Sequence, residues 1–246
     1  MVSVKNKFSH FVFEQYRKQC LRYAWELGCI CIVLGSLCLY LKGENENKML
    51  EYMKQKYKES FTELETYGGQ FGKDYSMLRI KGNKFKADGI LVRKAGKDGK
   101  YLYQDNYLAY LLREQIEQRM KELAEPVFGA CKVFYKIPEI VFPAEFSADM
   151  ELENFLKHSW SMIRIYLYVK DDSLKKNDQM EKFCMLLKEK EYLAGGVVSW
   201  SLNENYYHKI TRENFIRAAY AGYQYRVEVI FSIKRKNAQA CLKWKE

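Results

Sequence analysis

The hydrophobic and polar positions divide the chain into one long apolar run near the start and a remainder of shorter patterned segments. The run covers residues 23–41 and holds one charged side chain, Glu26. As a helix rising about 1.5 Å per residue it reaches about 28 Å, close to the ~30 Å hydrocarbon core of a bilayer. Tyr23, Trp25 and Tyr40 lie near its two ends, where aromatic rings favour the membrane interface. The pattern predicts a transmembrane helix.

Three other interpretations of this run fit less well. A cleaved signal peptide is disfavoured because about 22 residues precede the run and no small-x-small pattern follows Leu41. Neither Cys29 nor Cys38 has the flanking residues of a lipid-attachment site. A buried helix of a soluble core would have to be apolar all round. We therefore expect an uncleaved signal-anchor over 23–41.

Basic residues around the run predict its orientation. Arg17, Lys18 and Arg22 lie just before it, whereas the two lysines that follow it are diluted by glutamates. The positive-inside rule then makes 1–22 a basic cytoplasmic segment. We expect a single-pass cell-membrane protein whose C-terminal domain is extracytoplasmic. A domain that faces the cytoplasm is the alternative.

After a polar linker at 42–48, the chain changes to short segments of helical and strand period. Met49, Met53 and Tyr57 recur at four-residue steps and predict a helix. Runs rich in β-branched and aromatic residues then predict strands, including a hairpin that turns at Asp98–Gly99. The predicted strands of this part are Phe61–Tyr67, 75–80 and the two runs within 89–104.

A longer amphipathic stripe predicts a helix in the middle of the chain. Asp105 or Asn106 can cap its start, and Pro126 is predicted to end it. Strand and helix patterns alternate afterwards, and the tail 234–246 is predicted to be only polar and basic. The predicted strands are 131–137, 161–170, 197–202 and 223–233. The predicted helices begin near Ser147, Asp178 and Thr211, and Gly195–Gly196 ends the second of them.

These elements predict an α+β fold with mainly antiparallel strands over 49–246. Few prolines and few long loops separate the segments, so we expect one continuous domain. Two subdomains that meet near 126–143 are the alternative.

Composition adds little to this picture. The chain has 246 residues, 48% of them hydrophobic, and a formal net charge of +10. A basic balance can favour anionic surfaces, although it also serves solubility. Lysines and arginines are scattered along the sequence, so we do not expect nucleic acid as a partner.

No motif for catalysis, a cofactor or a metal stands out. Outside the apolar run and its flank, three cysteines occur, Cys131, Cys184 and Cys241, without CxxC or Cys/His spacing. A bridge between two of them stays open in an oxidising compartment. His158 and His208 have no partner at a metal-binding spacing. We therefore expect no catalytic, cofactor-binding or metal residues, and an enzyme is the less favoured class.

Tyrosine is the residue type that stands out, with twenty in the chain. Tyrosine and arginine suit contacts with proteins, peptides or glycans because their side chains are both apolar and polar. The predicted interaction surface consists of Arg164, Tyr166, Tyr168, Tyr206 and Tyr207. In the alternative interpretation, helices cover this sheet face and the rings belong to the core.

Two short motifs carry a resemblance. They are Lys56–Phe61, which has the pattern KY-x-E-x-F, and Asp105–Tyr107, which reads DNY. With the N-terminal apolar run, they make the chain resemble poorly characterised membrane-anchored or lipoprotein-like envelope proteins of Gram-positive gut bacteria. The resemblance covers much of 48–123 and implies an envelope location, but no activity and no site residues.

Together these patterns predict a non-enzymatic, membrane-tethered envelope protein. Its expected partners are the lipid bilayer, through 23–41, and a protein, peptide or anionic wall polymer. One alternative is an envelope hydrolase built from dispersed carboxylates. Another is a cytoplasm-facing domain that binds an anionic partner.

Overall fold

The computed structural model divides the chain into two compact units, Met1–Lys48 and Met49–Glu246. The described residues are 22–32, 34–36, 46–67, 75–82, 87–97, 100–161, 163–170, 176–201, 204–221, 226–232 and 241–245. The basic segment before residue 22, most of the linker and the predicted turn Asp98–Gly99 lie outside them.

In the first unit, the described residues 22–32 and 34–36 are helical, and their side chains are exposed. The large apolar side chains among them are between 51% and 77% exposed: Tyr23, Trp25, Leu27, Ile30, Ile32 and Leu34. The predicted span 23–41 lies partly outside the described residues. Within the part of the chain that the structure describes, no helix is long and apolar enough to cross a membrane.

The second unit has a mixed α+β fold with mainly antiparallel strands, which confirms that part of the predicted fold. Its first helix, α1, covers residues 46–57, and the part from Met49 onward belongs to this unit. A four-stranded antiparallel sheet in the order β1-β2-β3-β4 follows. Its strands are β1 (Phe61–Tyr67), β2 (Tyr75–Gly82), β3 (Ala87–Lys97) and β4 (Lys100–Asp105).

Helix α1 packs on one face of this sheet. Met49 and Met53 are fully buried there, as the four-residue spacing predicted, against Leu78, Ile80 and other apolar residues of the sheet. The β3–β4 hairpin also forms as predicted, because Lys97 pairs with the first residue of β4.

Helix α2 (Tyr107–Phe128) joins the two halves of the unit. Tyr107 belongs to the core of the first sheet, and residues from Leu108 to Phe128 belong to the larger core of the second. The prediction that Pro126 ends this helix is wrong. Pro126 lies in the last turn of the helix, where its missing N–H removes one backbone hydrogen bond and only two helical residues follow it. The helix ends instead at Gly129, whose φ of 74° suits glycine.

The second sheet has five strands in the order β5-β6-β7-β8-β9. Its strands are β5 (Cys131–Tyr135), β6 (Ile163–Val169), β7 (Ala194–Ser201), β8 (Arg226–Ser232) and β9 (Cys241–Lys245). Only β6 and β7 are parallel, and the crossover between them contains a helix, as parallel pairing requires.

Helices cover both faces of this sheet. On one face, α2 packs with α3 (Leu152–Lys157) and α4 (Lys176–Glu189) around the main core. On the other, α5 (Glu204–Lys209) and α6 (Phe215–Ala221) contribute to a smaller cluster. Strand β6 is consequently buried at nearly every position.

The predicted role of Gly195–Gly196 is also wrong, because both residues lie inside β7. Helix α4 ends earlier, where Glu191 adopts a φ of 61° and Tyr192 N–H donates to the Leu187 carbonyl at 2.9 Å. These are features of a Schellman turn. A glycine is needed at 196 for another reason: a Cβ there would lie 1.8 Å from the Ile165 carbonyl oxygen of β6.

Helix α3 and the C-terminal tail also differ from prediction. Helix α3 begins at Leu152 rather than at Ser147, because residues 147–150 form turns and Glu151 is its N-cap. The tail is not only polar and basic, since β9 pairs with β8 there and Leu242 packs against the main core. The short alternation of apolar and lysine residues in β9 was its only sequence signal.

Candidate functional site

An open groove of about 860 Å³ lies beside strand β4. The end of α1 and the start of α2 form part of its lining, together with β4 and the segment 144–149. The lining residues are Tyr52, Lys56, Tyr57, Lys58, Glu59, Tyr101, Leu102, Tyr103, Tyr107, Leu111, Ala144, Ser147, Ala148 and Asp149. Five of these side chains are tyrosines.

A buried carboxylate, that of Asp105, is bound to the residues that line this groove. Its Oδ1 accepts hydrogen bonds from the Tyr57 hydroxyl at 2.6 Å and the Tyr107 N–H at 2.9 Å. Its Oδ2 accepts from the Tyr52 hydroxyl at 2.9 Å and from the Lys56 ammonium at 2.8 Å. The Asp105 side chain is only 1% exposed, so these four donors replace the water that it gave up on folding.

Strand and helix periodicity bring these groups together. Asp105 ends β4 opposite Val92, a fully buried residue of the first core, so its side chain faces α1. Tyr103, two residues earlier, faces the same way and stacks on Tyr52 with 5.3 Å between ring centroids. On α1, Tyr52 and Lys56 are one turn apart and therefore share a side of the helix.

The electrostatics of this network fix its protonation state. Burial, followed by the negative charge of Asp105, raises the pKa of the Tyr52 and Tyr57 hydroxyls well above their ordinary value. Both hydroxyls therefore stay protonated at neutral pH and act as donors. The Lys56 ammonium balances the carboxylate and lies 5.1 Å from the centroid of the Tyr57 ring. The network can hold side chains in place, but neither tyrosine can act as a base.

A second carboxylate extends the network. Glu59 accepts a hydrogen bond from the Tyr107 hydroxyl at 2.6 Å. Burial, with a smaller contribution from Glu59, raises the pKa of Tyr107 above its ordinary value. The Tyr107 ring meets those of Tyr57 and Phe61 edge to face, at centroid distances of 4.9 and 5.1 Å. Such pairs contribute about 0.5–1.5 kcal/mol beyond the area they bury.

The residues that build this site were missed as functional candidates. Apart from Tyr52, the residues of the hydrogen-bonded network come from the two motifs KYKESF and DNY, which the sequence presented as helix-end and helix-start signals. In the structure the motifs meet: Lys56 and Tyr57 bind Asp105, and Glu59 binds Tyr107. The clustering of aromatic and charged residues in both motifs was the sequence signal that could have pointed to this site.

The predicted interaction residues lie elsewhere, on the five-stranded sheet and α5. Arg164 is exposed near the start of β6, whereas Tyr166 and Tyr168 on the same strand are 2% and 1% exposed. Tyr207 is buried with them, and Tyr206 packs against the cluster partly buried. The structure therefore brings four tyrosines together and leaves Arg164 at the surface. Their role as an interaction surface stays a prediction.

Hydrogen bonds hold these rings against the helices. The Tyr168 hydroxyl donates to the Phe215 carbonyl, and the Tyr206 hydroxyl donates to the Ala218 carbonyl. The alternative in which helices cover this sheet face agrees with the burial of Tyr166 and Tyr168.

Another buried carboxylate, that of Glu117, ties α2 to two neighbouring segments. It accepts a hydrogen bond from Tyr135 N–H at 3.0 Å and pairs with Arg212 at 2.6 Å. Burial raises the pKa of Glu117, against the lowering effects of Tyr135 N–H, Arg212 and Arg113. This contact joins α2, β5 and the turn before α6.

The described cysteines and acids offer no metal centre. Among the described residues, no group of three or more His, Cys, Asp or Glu side chains is placed to hold a metal ion. Cys131 and Cys184 are buried free thiols. Burial raises the pKa of each to about 11, so both remain unreactive thiols at neutral pH.

Comparison with known proteins returns no relative. No protein-family model matches the sequence, and no curated protein and no solved structure matches it either. The groove and the network beside it are therefore the basis for any inference about function.

Proposed function

We propose that this protein is a membrane-tethered interaction domain that binds a polypeptide or a cell-wall polymer in the groove beside β4. The observation that carries the proposal is the lining of this groove. Five tyrosines line it: Tyr52 and Tyr57 are partly exposed and bind Asp105 through their hydroxyls, and the buried Tyr107 ring packs against Tyr57 and binds Glu59.

The fixed rings support binding because they lose little conformational freedom when a ligand arrives. Tyrosine also offers a large apolar surface with a polar tip, which suits both polypeptides and sugars. The groove has exposed apolar surface that a ligand can cover, since Tyr101 and Leu102 are each 49% exposed. Burying such side chains in a complex contributes roughly 25 cal/mol per Å² of apolar surface.

Membrane attachment is the second part of the proposal. The exposed apolar side chains of the N-terminal helix support it, because surfaces of this kind mark contact with lipid or a partner. The apolar length of 23–41 and the basic residues before it support a cytoplasmic N-terminus and an extracytoplasmic domain in the cell envelope.

The groove can be tested with Tyr101→Ala and a matched control, Trp160→Ala. Both rings are about half exposed, but only Tyr101 lines the groove. The full-length chain in detergent micelles is measured against a peptide array and against isolated cell-wall polysaccharide. We expect Tyr101→Ala to weaken binding about tenfold, the loss of about 1.4 kcal/mol, and Trp160→Ala to leave it unchanged. Equal binding by parent and Tyr101→Ala would contradict the proposal.

Membrane attachment has its own test. The parent chain should float with vesicles of phosphatidylglycerol and phosphatidylethanolamine, and a chain that lacks 23–41 should stay with the soluble fraction. Protease added to intact cells should degrade the C-terminal domain. Complete protection of that domain would refute an extracytoplasmic location.

A hydrolase is the second candidate, because the groove lining includes two acids, Glu59 and Asp149, as well as its tyrosines. The Ser147 hydroxyl lowers the pKa of Asp149, which is therefore ionised at neutral pH. Release of soluble fragments from wall material, lost in both Glu59→Gln and Asp149→Asn, would replace the binding proposal with this one. No such release is expected.

A further inference from the structure

One ring of the groove, that of Tyr101, has a positive charge against one of its faces. The Lys94 ammonium lies 3.8 Å from the centroid of the Tyr101 ring. In the register of β3 and β4, Lys94 lies opposite Tyr103, and Tyr101 lies opposite Gly96. Lys94 and Tyr101 are therefore diagonal neighbours on one face of the sheet, a separation that long side chains can bridge. The pairing of the strands thus places the ammonium on the ring.

The groove reaches this ring from another direction. Lys94 is only 8% exposed and lies outside the described lining of the groove, whereas Tyr101 is 49% exposed and belongs to that lining. A ligand in the groove therefore meets Tyr101 away from the ammonium, on the opposite face of the ring or at its edge.

The ammonium changes what the exposed part of the ring can bind. The face of an aromatic ring is normally negative, and it attracts cations and the C–H groups of sugars. A cation on one face draws electron density toward itself, so the opposite face becomes less negative. At 3.8 Å the charge acts on the ring directly, whatever other groups the ammonium contacts. An electron-rich aromatic ring stacks better on a ring that has been depleted in this way.

These effects separate the ligand classes. A cationic side chain is repelled by the ammonium behind the ring, and a sugar gains less from C–H contact with the ring face. The described lining holds two lysines, Lys56 and Lys58, and two acids, Glu59 and Asp149. Their formal charges cancel, so a polyanionic wall polymer gains no net attraction. A polypeptide with an aromatic side chain is the ligand that this ring favours.

We propose that the groove binds a polypeptide segment of a partner protein through an electron-rich aromatic side chain, such as tyrosine or tryptophan, that stacks on Tyr101. We call that side chain the anchor. Lys94 sets the specificity, because its charge disfavours a cationic side chain or a sugar at the position of the anchor. This inference rests on the proposed function and narrows its ligand to a polypeptide with an aromatic anchor.

The test uses the full-length chain in detergent micelles and a random-peptide display library as the probe. Alanine scanning of the strongest synthetic binder identifies its anchor, which is then replaced by phenylalanine or by pentafluorophenylalanine. The two rings have similar shapes, but the fluorinated ring has an electron-poor face and is the more hydrophobic. We expect the fluorinated peptide to bind the parent about threefold to tenfold more weakly in calorimetric titration. Simple burial of apolar surface would give the opposite order.

Variants of the protein assign this preference to the charge. Lys94→Met removes the ammonium and keeps a long side chain, so the preference for phenylalanine should disappear or reverse. Lys94→Arg keeps the charge and should keep the preference, as should Trp160→Ala. Tyr101→Ala should weaken the binding of both peptides. The comparison in the parent chain needs no variant, so it decides the inference even if Lys94→Met does not fold.

The other outcomes separate this inference from the proposed function. A peptide that needs Tyr101 but binds equally with either ring overturns stacking and leaves the groove as a binding site. A preference that persists in Lys94→Met overturns the role of Lys94. If the library yields no binder, the inference fails, and Tyr101-dependent binding of wall polysaccharide then keeps the proposed function. Dimers that Tyr101→Ala dissociates would replace the partner protein with a second copy of the chain. A selected peptide that binds Tyr101→Ala as well as the parent overturns both proposals.

Discussion

Beside the four-stranded sheet, Tyr52 and Tyr57 of α1 and Tyr107 of α2 direct their hydroxyls at two carboxylates, whereas in the five-stranded sheet Tyr166 and Tyr168 lie beneath helices. The same residue type therefore serves two purposes. Where α5 and α6 cover a sheet face, the rings become core, and the Tyr168 hydroxyl binds the Phe215 carbonyl of α6. Beside β4, the rings of Tyr52 and Tyr57, whose hydroxyls bind the Asp105 carboxylate, remain partly exposed in the lining of the groove.

The two regions depend on different kinds of interaction. The core of the five-stranded sheet spreads its stability over many apolar contacts, each contributing a little. The region beside the groove depends on one buried carboxylate that satisfies four donors. Loss of that single group leaves several partners unsatisfied at once.

The largest expected effect is that of Asp105→Ala. It leaves the Lys56 ammonium and two tyrosine hydroxyls without their acceptor, which should lower the free energy of unfolding by about 3–5 kcal/mol. Urea denaturation followed by circular dichroism measures this. Asp149→Ala removes an exposed acid of the same groove, so it is the control and should leave stability nearly unchanged. If Asp105→Ala were as stable as the Asp149→Ala control and the parent, the Asp105 network would not be needed for stability.

An intermediate effect should separate the tyrosines beside the four-stranded sheet from those of the five-stranded sheet. Tyr57→Phe removes a hydrogen bond to a charged acceptor and should cost about 2 kcal/mol. Tyr168→Phe removes one to a neutral carbonyl and should cost about 1 kcal/mol. Both variants keep the ring, so packing changes little. If Tyr168→Phe proved the more costly in the same denaturation assay, the contrast between the regions would be wrong.

The smallest effect concerns Glu117. Burial raises its folded pKa above the unfolded value, so the folded state holds this proton to higher pH. Stability from this group is fully present below the unfolded pKa and falls as pH rises through the folded pKa. Relative to Glu117→Gln, the parent should lose stability as pH rises above the ordinary glutamate pKa of about 4. The exposed acids titrate alike in both chains, so their contributions cancel in the difference between the two stabilities. If the parent instead gained stability relative to Glu117→Gln as pH rises, the raised pKa of Glu117 would be refuted.

Local patterns predicted much of the fold. The four-residue spacing of Met49 and Met53 gave the buried face of α1, and the limits of β1 were correct. Errors arose where a distant contact decides. Position 196 in β7 needs glycine because the Ile165 carbonyl of the neighbouring strand leaves no room for a Cβ, and no local rule reveals that approach.

The candidate site was predictable only in part. Asp105 was recognised as a residue for a helix start, and its carboxylate does accept the nearby Tyr107 N–H. Its other donors come from α1, about fifty residues earlier, and depend on how that helix packs on the sheet. Burial of a charged side chain among such partners follows from tertiary packing, which periodicity does not encode.

The turn after α4 has a practical consequence for engineering. Glu191 holds a left-handed φ of 61°, which glycine adopts without strain. Glu191→Gly should therefore raise the free energy of unfolding by about 1 kcal/mol. The position lies outside the groove lining. Weakened variants introduced into that background would have a better chance of staying folded during purification and assay.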